Sequence, residues 1–223
     1  LLEFPIYINL PLLILFLMMV VFTFGENDSN LFSNFFFEYL NIDLIQFRES
    51  ILFIDKISLV ALSGLFIGIM GTVPGHELSH RINNKFDLFI GSWLLSLSWD
   101  CAFAIEHVYG HHRNVGLPND PATARRGGNI YKFIIKAIIK EQKDAWLIEV
   151  KRLRSKSLSL LSINNRLVMG YFKSISISLL SFIIGGFSGL IIFLLCSIIA
   201  KALLEVINYT EHYGPIRIAG EKV

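Results

Sequence analysis

Charge is scarce in this sequence, and cysteine scarcer still. Only 17% of its 223 residues are Asp, Glu, Lys or Arg, against 53% hydrophobic and 13% aromatic, and the mean hydropathy is +0.57. That balance excludes an ordinary soluble domain and points to an integral membrane protein. The two cysteines, Cys101 and Cys196, sit in apolar stretches with no CxxC pattern. This argues against a disulfide framework or a thiolate metal site and for buried, reduced thiols. The opening apolar run lacks the basic start and cleavage site of a signal peptide and is too long for one. Residue 1 is Leu rather than Met, so the chain reads as a piece or a processed product. No repeats or low-complexity tracts are present, and no nucleic-acid partner is expected.

What the sequence does have is long runs without charge. Residues 4–25 and 57–76 each match the roughly 20 residues that one helical crossing needs. Residues 174–200 are also free of charge, and from Tyr171 to His212 the charged side chains are Lys173, Lys201, Glu205 and Glu211. That length, interrupted by Gly185-Gly186, suits a hairpin of two crossings. The predicted architecture is an all-α membrane protein with about four transmembrane helices, at 4–24, 51–72, 171–186 and 188–210. A re-entrant or interfacial segment at 86–107 and a cytoplasmic amphipathic helical region complete a single domain over 1–223.

Orientation follows from the loops. Residues 25–50 hold Glu26, Asp28, Glu38, Asp43 and Glu49 against one Arg48, whereas 113–173 hold thirteen Lys or Arg against four acids. The positive-inside tendency places the basic region, about 113–170, in the cytoplasm. Within it, residues 129–156 have Phe133, Ile134, Ala137 and Ile138 at helical spacing and Lys132, Lys136, Lys140 and Lys143 on another stripe.

All six histidines fall in three short boxes: "HELSH" (76–80), "EHVYGHH" (106–112) and "NYTEHYG" (208–214). His76 and His80 are spaced i, i+4, on one helical face, as are His107 and His111, with His112 on an adjacent face. A tetrahedral zinc site needs three or four ligands, so six imidazoles point to two metals. Ligand type alone does not choose among iron, zinc, copper and nickel. If the boxes share a site, 86–107 cannot simply cross, since a full crossing would carry His107 about 30 Å from His80.

HELSHR, EHVYGHHRNVGLPNDPATARRG and NYTEHYG resemble the histidine boxes of the integral-membrane alkane 1-monooxygenases. These belong with xylene monooxygenase to the fatty acid desaturase/hydroxylase superfamily of membrane di-iron proteins. The HExxHx26HxxxHH spacing and the segment KDAWLIEVKRL are similar too. The resemblance implies two non-haem iron ions held by His76, His80, His107, His111, His112 and His212. It implies terminal hydroxylation of medium-chain alkanes with O2 and two electrons, on substrate entering from the bilayer. A rubredoxin-type donor with its NAD(P)H-dependent reductase would supply the electrons, in a bacterial inner membrane with the metals on the cytoplasmic side. The family pattern also has a final HxxHH box and six transmembrane helices. A piece without them is expected to lack three ligands and not to turn over.

Other roles follow from that resemblance. Glu77, Glu106, Asp120 and Glu211 are candidates to hold the far ring nitrogens of the ligands, although Asp120 in "LPNDPAT" could simply close a turn. Gly64, Gly68 and Gly71 either pack helices closely or leave room for an alkyl substrate channel. Lys136, Lys140 and Lys143 could dock the acidic electron donor or anionic membrane lipids. Alternative functions are a fatty-acyl desaturase/hydroxylase or a xylene-type monooxygenase. More distant ones are an HExxH zinc protease using Glu77 as base, and a non-catalytic metal-binding membrane protein.

Overall fold

The computed structural model describes residues 4–25, 30–214 and 217. Glu26 and Asp28, part of the acidic loop, lie outside them. The described chain is helical, with an isolated bridge between Ala124 and Tyr213 as its only extended pairing. We label the helices α1 (Phe4–Phe24), α2 (Asn30–Leu40), α3 (Leu44–Ser50), α4 (Phe53–Ser79), α5 (Lys85–Ser96), α6 (residues 103–114), α7 (Ile130–Arg154) and α8 (Arg166–Glu211). Four of the starts are fixed by side-chain caps. Asp43, Asn84, Asn129 and Asn165 each accept a backbone N–H from the first turn of the helix that follows, where no intrahelical partner exists.

α1, α4 and α8 are long and apolar enough to cross a membrane. Large apolar side chains such as Leu12, Ile69, Phe187 and Ile198 are exposed on them, a pattern at home in lipid and costly in water. α4 extends to Ser79 rather than ending near 72, so the first histidine box is the continuation of a spanning helix. Short α2 and α3, where the sequence suggested only an acidic loop, expose Leu31, Phe35, Phe37 and Phe47.

α8 does not run straight. Gly186 has φ 63° and ψ −155°, a backbone region that only glycine occupies readily. Ser174 and Ser197 donate to the adjacent carbonyls of Ser96 (2.9 Å) and Leu97 (2.8 Å). In a straight helix those serines would stand ~34 Å apart. The two halves therefore lie side by side, folded back at Gly186. The fold-back seats against α1: a Cβ on Gly185 would lie 2.6 Å from the Val21 carbonyl oxygen, and one on Gly25 would lie 2.6 Å from the Gly185 Cα.

α5 runs back along the end of α4, with Gly75 and Gly91 in mutual close approach. The chain turns through 97–102, where Trp99 takes φ 55°, and α6 returns toward the end of α4. Residues 86–107 therefore form a helical hairpin that brings His107 back beside His76. α7 lies across α6 and α8. Its buried line is Ala137, Glu141, Ala145, Glu149 and Leu153, while Tyr131, Ile135, Ile139 and Leu147 are exposed.

Candidate metal centre

The first box stands on the last turns of α4. Pro74 has no N–H to give to the carbonyl four residues back, and Asn9 of α1 donates its Nδ2 to that oxygen, on Met70, at 3.1 Å. Just before it, residues Ile67–Thr72 wind as a π-turn, with the Val73 N–H on the Gly68 carbonyl. His76 and His80 then face the same way, ring centroids 4.8 Å apart.

The second box is wound differently from its sequence pattern. His107–His111 is a π-turn in which the His112 N–H reaches the His107 carbonyl. In an α-helix, position i+5 lies about 140° round from position i; the i→i+5 bond brings it back over i. His112 Nε2 is thus 3.2 Å from His107 Nε2, on the same face rather than an adjacent one. Two imidazole nitrogens held at about 2.1 Å by one ion lie roughly 3.0–3.4 Å apart, so this pair fits a shared metal. His107 is 4.4 Å from His76, His80 is 4.9 Å from His112, and His111 is 4.6 Å from His212, centroid to centroid. All six histidines form one contact network. Ligand atoms of His76, His80 and His107 lie within 4.8 Å of one another.

The third box is tied to the loop after the second. Ala124 N donates to the His212 carbonyl at 3.0 Å, and Gly214 N donates to the Ala124 carbonyl at 2.8 Å. Tyr209 Oη donates to the Gly128 carbonyl, and Gly127 N donates to Tyr213 Oη. These contacts of Tyr209 and Tyr213 hold the third box against that loop, and the sequence pattern does not reveal them.

Burial and electrostatics disfavour the charged form of three of the rings. Desolvation, reinforced by His76 and the neighbouring imidazoles, pushes His107 down to about 2. Burial likewise lowers His112 and His212. Neutral imidazole nitrogens are what a cation needs.

Among the candidate carboxylates, Asp120 meets a histidine. Its two oxygens lie 3.0 and 3.1 Å from His111 Nδ1, and Thr123 donates to the same carboxylate at 2.5 Å. That contact orients the ring and leaves Nε2 as the nitrogen available to a metal. Glu77 turns outward, half-exposed, to Arg81 at 3.6 Å. Glu211 is exposed and 4.0 Å from His212 Nε2, beyond hydrogen-bond reach. Glu106 is buried against Gly110. Burial first, then repulsion from Asp120 and Asp144, pushes its carboxyl up to about 8.

The glycines of α4 are filled by neighbours. A Cβ on Gly64 would meet Ile199 at 2.5 Å, one on Gly68 would meet Leu203 at 2.8 Å, and one on Gly71 would meet Leu13 at 3.3 Å. This geometry favours close helix packing over a substrate channel at these positions. Lys136 and Lys143 are exposed on α7, and Lys140 donates to the Asn119 carbonyl.

Sequence reasoning missed a buried charge cluster behind the hairpin. Lys201 Nζ lies 2.8 Å from Asp100, 2.8 Å from Glu141 and 2.9 Å from Glu205. All four side chains are buried. They pin the turn before α6, the middle of α7 and the second half of α8 to one point. A second clamp sits at Glu149, which takes Arg152 at 2.7 Å and Arg166 at 2.6 Å.

Residues 57–222 match the family model described as "Fatty acid desaturase". The chain is 34% identical over 169 residues to alkane 1-monooxygenase 2 of Alcanivorax borkumensis, covering 76% of this chain and 44% of that protein. It is 36% identical over 158 residues to alkane 1-monooxygenase 1 of Pseudomonas aeruginosa, covering 71% and 41%. To the xylene/toluene monooxygenase hydroxylase component of Pseudomonas putida it is 33% identical over 162 residues, covering 72% and 42%. The chain thus spans less than half the length of these relatives. The matched region takes in all three histidine boxes and the helices that present them, and the chain belongs to the fatty acid desaturase family.

Proposed function

We propose that the protein is a membrane di-iron monooxygenase that hydroxylates the terminal carbon of a medium-chain alkane. The observation that carries this reading is the convergence of all six histidines into one network at the end of membrane-length helices. The naming of similar proteins as alkane 1-monooxygenases supports the substrate class. His76, His80, His107, His111, His112 and His212 would hold iron, with further ligands from the rest of the protein. When bound, two irons supply dioxygen activation: O2, two electrons, two protons and R–H give R–OH and water.

The protein's own groups then have defined tasks. Asp120 sets the orientation of His111, and buried Phe103, stacked 4.5 Å from His107, covers one face of that ring. Four membrane crossings, with α8 supplying two, would place the cluster at the cytoplasmic face of a bacterial inner membrane. There the exposed Lys136 and Lys143, with Lys140, would meet a rubredoxin-type donor reduced by an NAD(P)H-dependent reductase. Charge reversal at these three lysines should slow reduction at low salt; a rate unchanged across salt concentrations would leave only lipid binding for them.

The xylene/toluene relative keeps a benzylic substrate as the second reading. The protease alternative is disfavoured by Glu77, which faces Arg81 instead of the space between His76 and His80. The deciding experiment measures metal content and product of the whole protein in membranes under 18O2 with octane. Two irons and octan-1-ol carrying one 18O are expected. One zinc without iron would indicate the protease. Full iron loading without an oxygen-dependent product from any alkane or lipid would indicate a non-catalytic metal protein.

A further inference from the structure

A cavity of about 300 Å³ lies between α5, α6 and the start of α8. Most of its wall is apolar, including Phe89, Ile105, Met169 and Gly170, and no histidine lines it. An occupant of this space would therefore not touch the metal centre. The cavity's size lies at the lower end of the range of small-molecule pockets.

Of the charged groups on its wall, Lys85, Arg166 and Lys173 are basic, and the one acid, Asp100, is committed to Lys201 at 2.8 Å. Lys85, Phe89 and Ser92 follow one another at i, i+4 and i+7 along one stripe of α5. Lys173 of α8 reaches that stripe. Its ammonium donates to the Ser92 hydroxyl and lies 5.5 Å from the Phe89 ring and 5.6 Å from the Trp93 ring. Arg166, also in the wall, is committed to Glu149 at 2.6 Å. Among the described residues, neither Lys85 nor Lys173 has a carboxylate within ion-pairing distance. Lys85 is exposed at the rim, and Lys173, though held by the Ser92 hydroxyl and two ring faces, is left without an anionic partner beside an apolar wall.

We propose that this cavity is a binding site for an anionic phospholipid, with one acyl tail in the apolar part and the headgroup phosphate on Lys85 and Lys173. A phospholipid fits better than a free anion because the apolar wall needs a hydrocarbon occupant. The bilayer around α8 supplies one at high local concentration. The site is independent of the metal centre and of the reaction assigned to it.

The test uses the protein in nanodiscs with Trp99→Phe and Trp146→Phe, leaving Trp93 beside Lys173 as the reporter. Dibrominated phosphatidylglycerol is compared with dibrominated phosphatidylcholine as quencher. Phosphatidylglycerol should associate more strongly by on the order of tenfold. Lys173→Met and Lys85→Gln should each lower that preference roughly fivefold, with Lys173→Arg retaining it. Circular dichroism checks that each variant is folded, and Lys85→Gln, at an exposed position, provides the readout if Lys173→Met is not. Equal quenching by the two headgroups, or a preference that survives both substitutions in folded protein, would overturn the proposal. So would loss of quenching to decanoate without any headgroup preference, because the occupant would then be a free fatty acid.

Discussion

Replacing Lys201 by Met would keep the length and apolar stem of the side chain and remove its charge. The lysine is 9% exposed, and its partners Asp100, Glu141 and Glu205 are at most 2% exposed. At an effective dielectric near 20, each pair is worth about 4 kcal/mol in gross Coulomb terms at 4 Å, but desolvation of the charges offsets most of that. The net effect is set by what remains: three buried carboxylates with no cation. Leaving a buried charge uncompensated costs about 3–5 kcal/mol. For a chain of this size, that lowers the midpoint of thermal unfolding by about 6–20 °C. The assay is loss of helical circular dichroism in a mild detergent at neutral pH. Adding Asp100→Asn, Glu141→Gln and Glu205→Gln to Lys201→Met should recover most of the loss, because neutral amides need no counter-ion. A fall of less than about 3 °C in the single variant, or no recovery in the quadruple one, would refute the view that charge compensation holds these elements together.

Three further outcomes are expected. Asp120→Asn should weaken metal retention by about 10–100-fold, read as iron content after titration with a chelator, since the amide cannot match the carboxylate's hold on His111. Gly185→Ala should cost about 1–3 kcal/mol in detergent unfolding, because the new methyl meets the Val21 carbonyl oxygen at 2.6 Å and backbone must move. Although burial alone raises it, Glu149 is held down at about 2 by hydrogen bonds from Arg152 and Arg166. Its folded value is depressed, so its contribution is complete above the usual glutamate value of 4.5 and is lost as pH falls toward 2. The unfolding midpoint should drop between pH 5 and pH 3 less steeply in Glu149→Gln than in the parent.

Much of the site was legible because histidine is rare here and confined to three boxes, and helical spacing alone pairs His76 with His80. The fold-back of α8 was visible as Gly185-Gly186 in a run too long for one crossing. What escaped notice shares a physical cause. A π-turn leaves no mark on side-chain identity, so the direction of His112 followed the α-helical rule and was misjudged. Two partners of Lys201, Glu141 and Asp100, lie 60 and 101 residues away along the chain with no periodicity to relate them, and only Glu205 stands at helical spacing. Glu141 and Glu149 counted as ordinary acids of a basic surface, yet they are the most deeply buried polar groups of α7. Glu77 sits in the HExxH string, where letters suggest a base; only the rotamer shows that it faces Arg81.

The π-turn at His107–His111 has a consequence for anyone transplanting such a site. The direction of a helical ligand is normally changed by exchanging residues; here it is changed by pitch, with the letters untouched. A scaffold helix carrying HVYGHH on ordinary α-helical winding would reproduce the donors but not the polygon they form, leaving His112 facing elsewhere. The unit to be copied is therefore a backbone shape, and a string of residues without it would be a different arrangement of imidazoles.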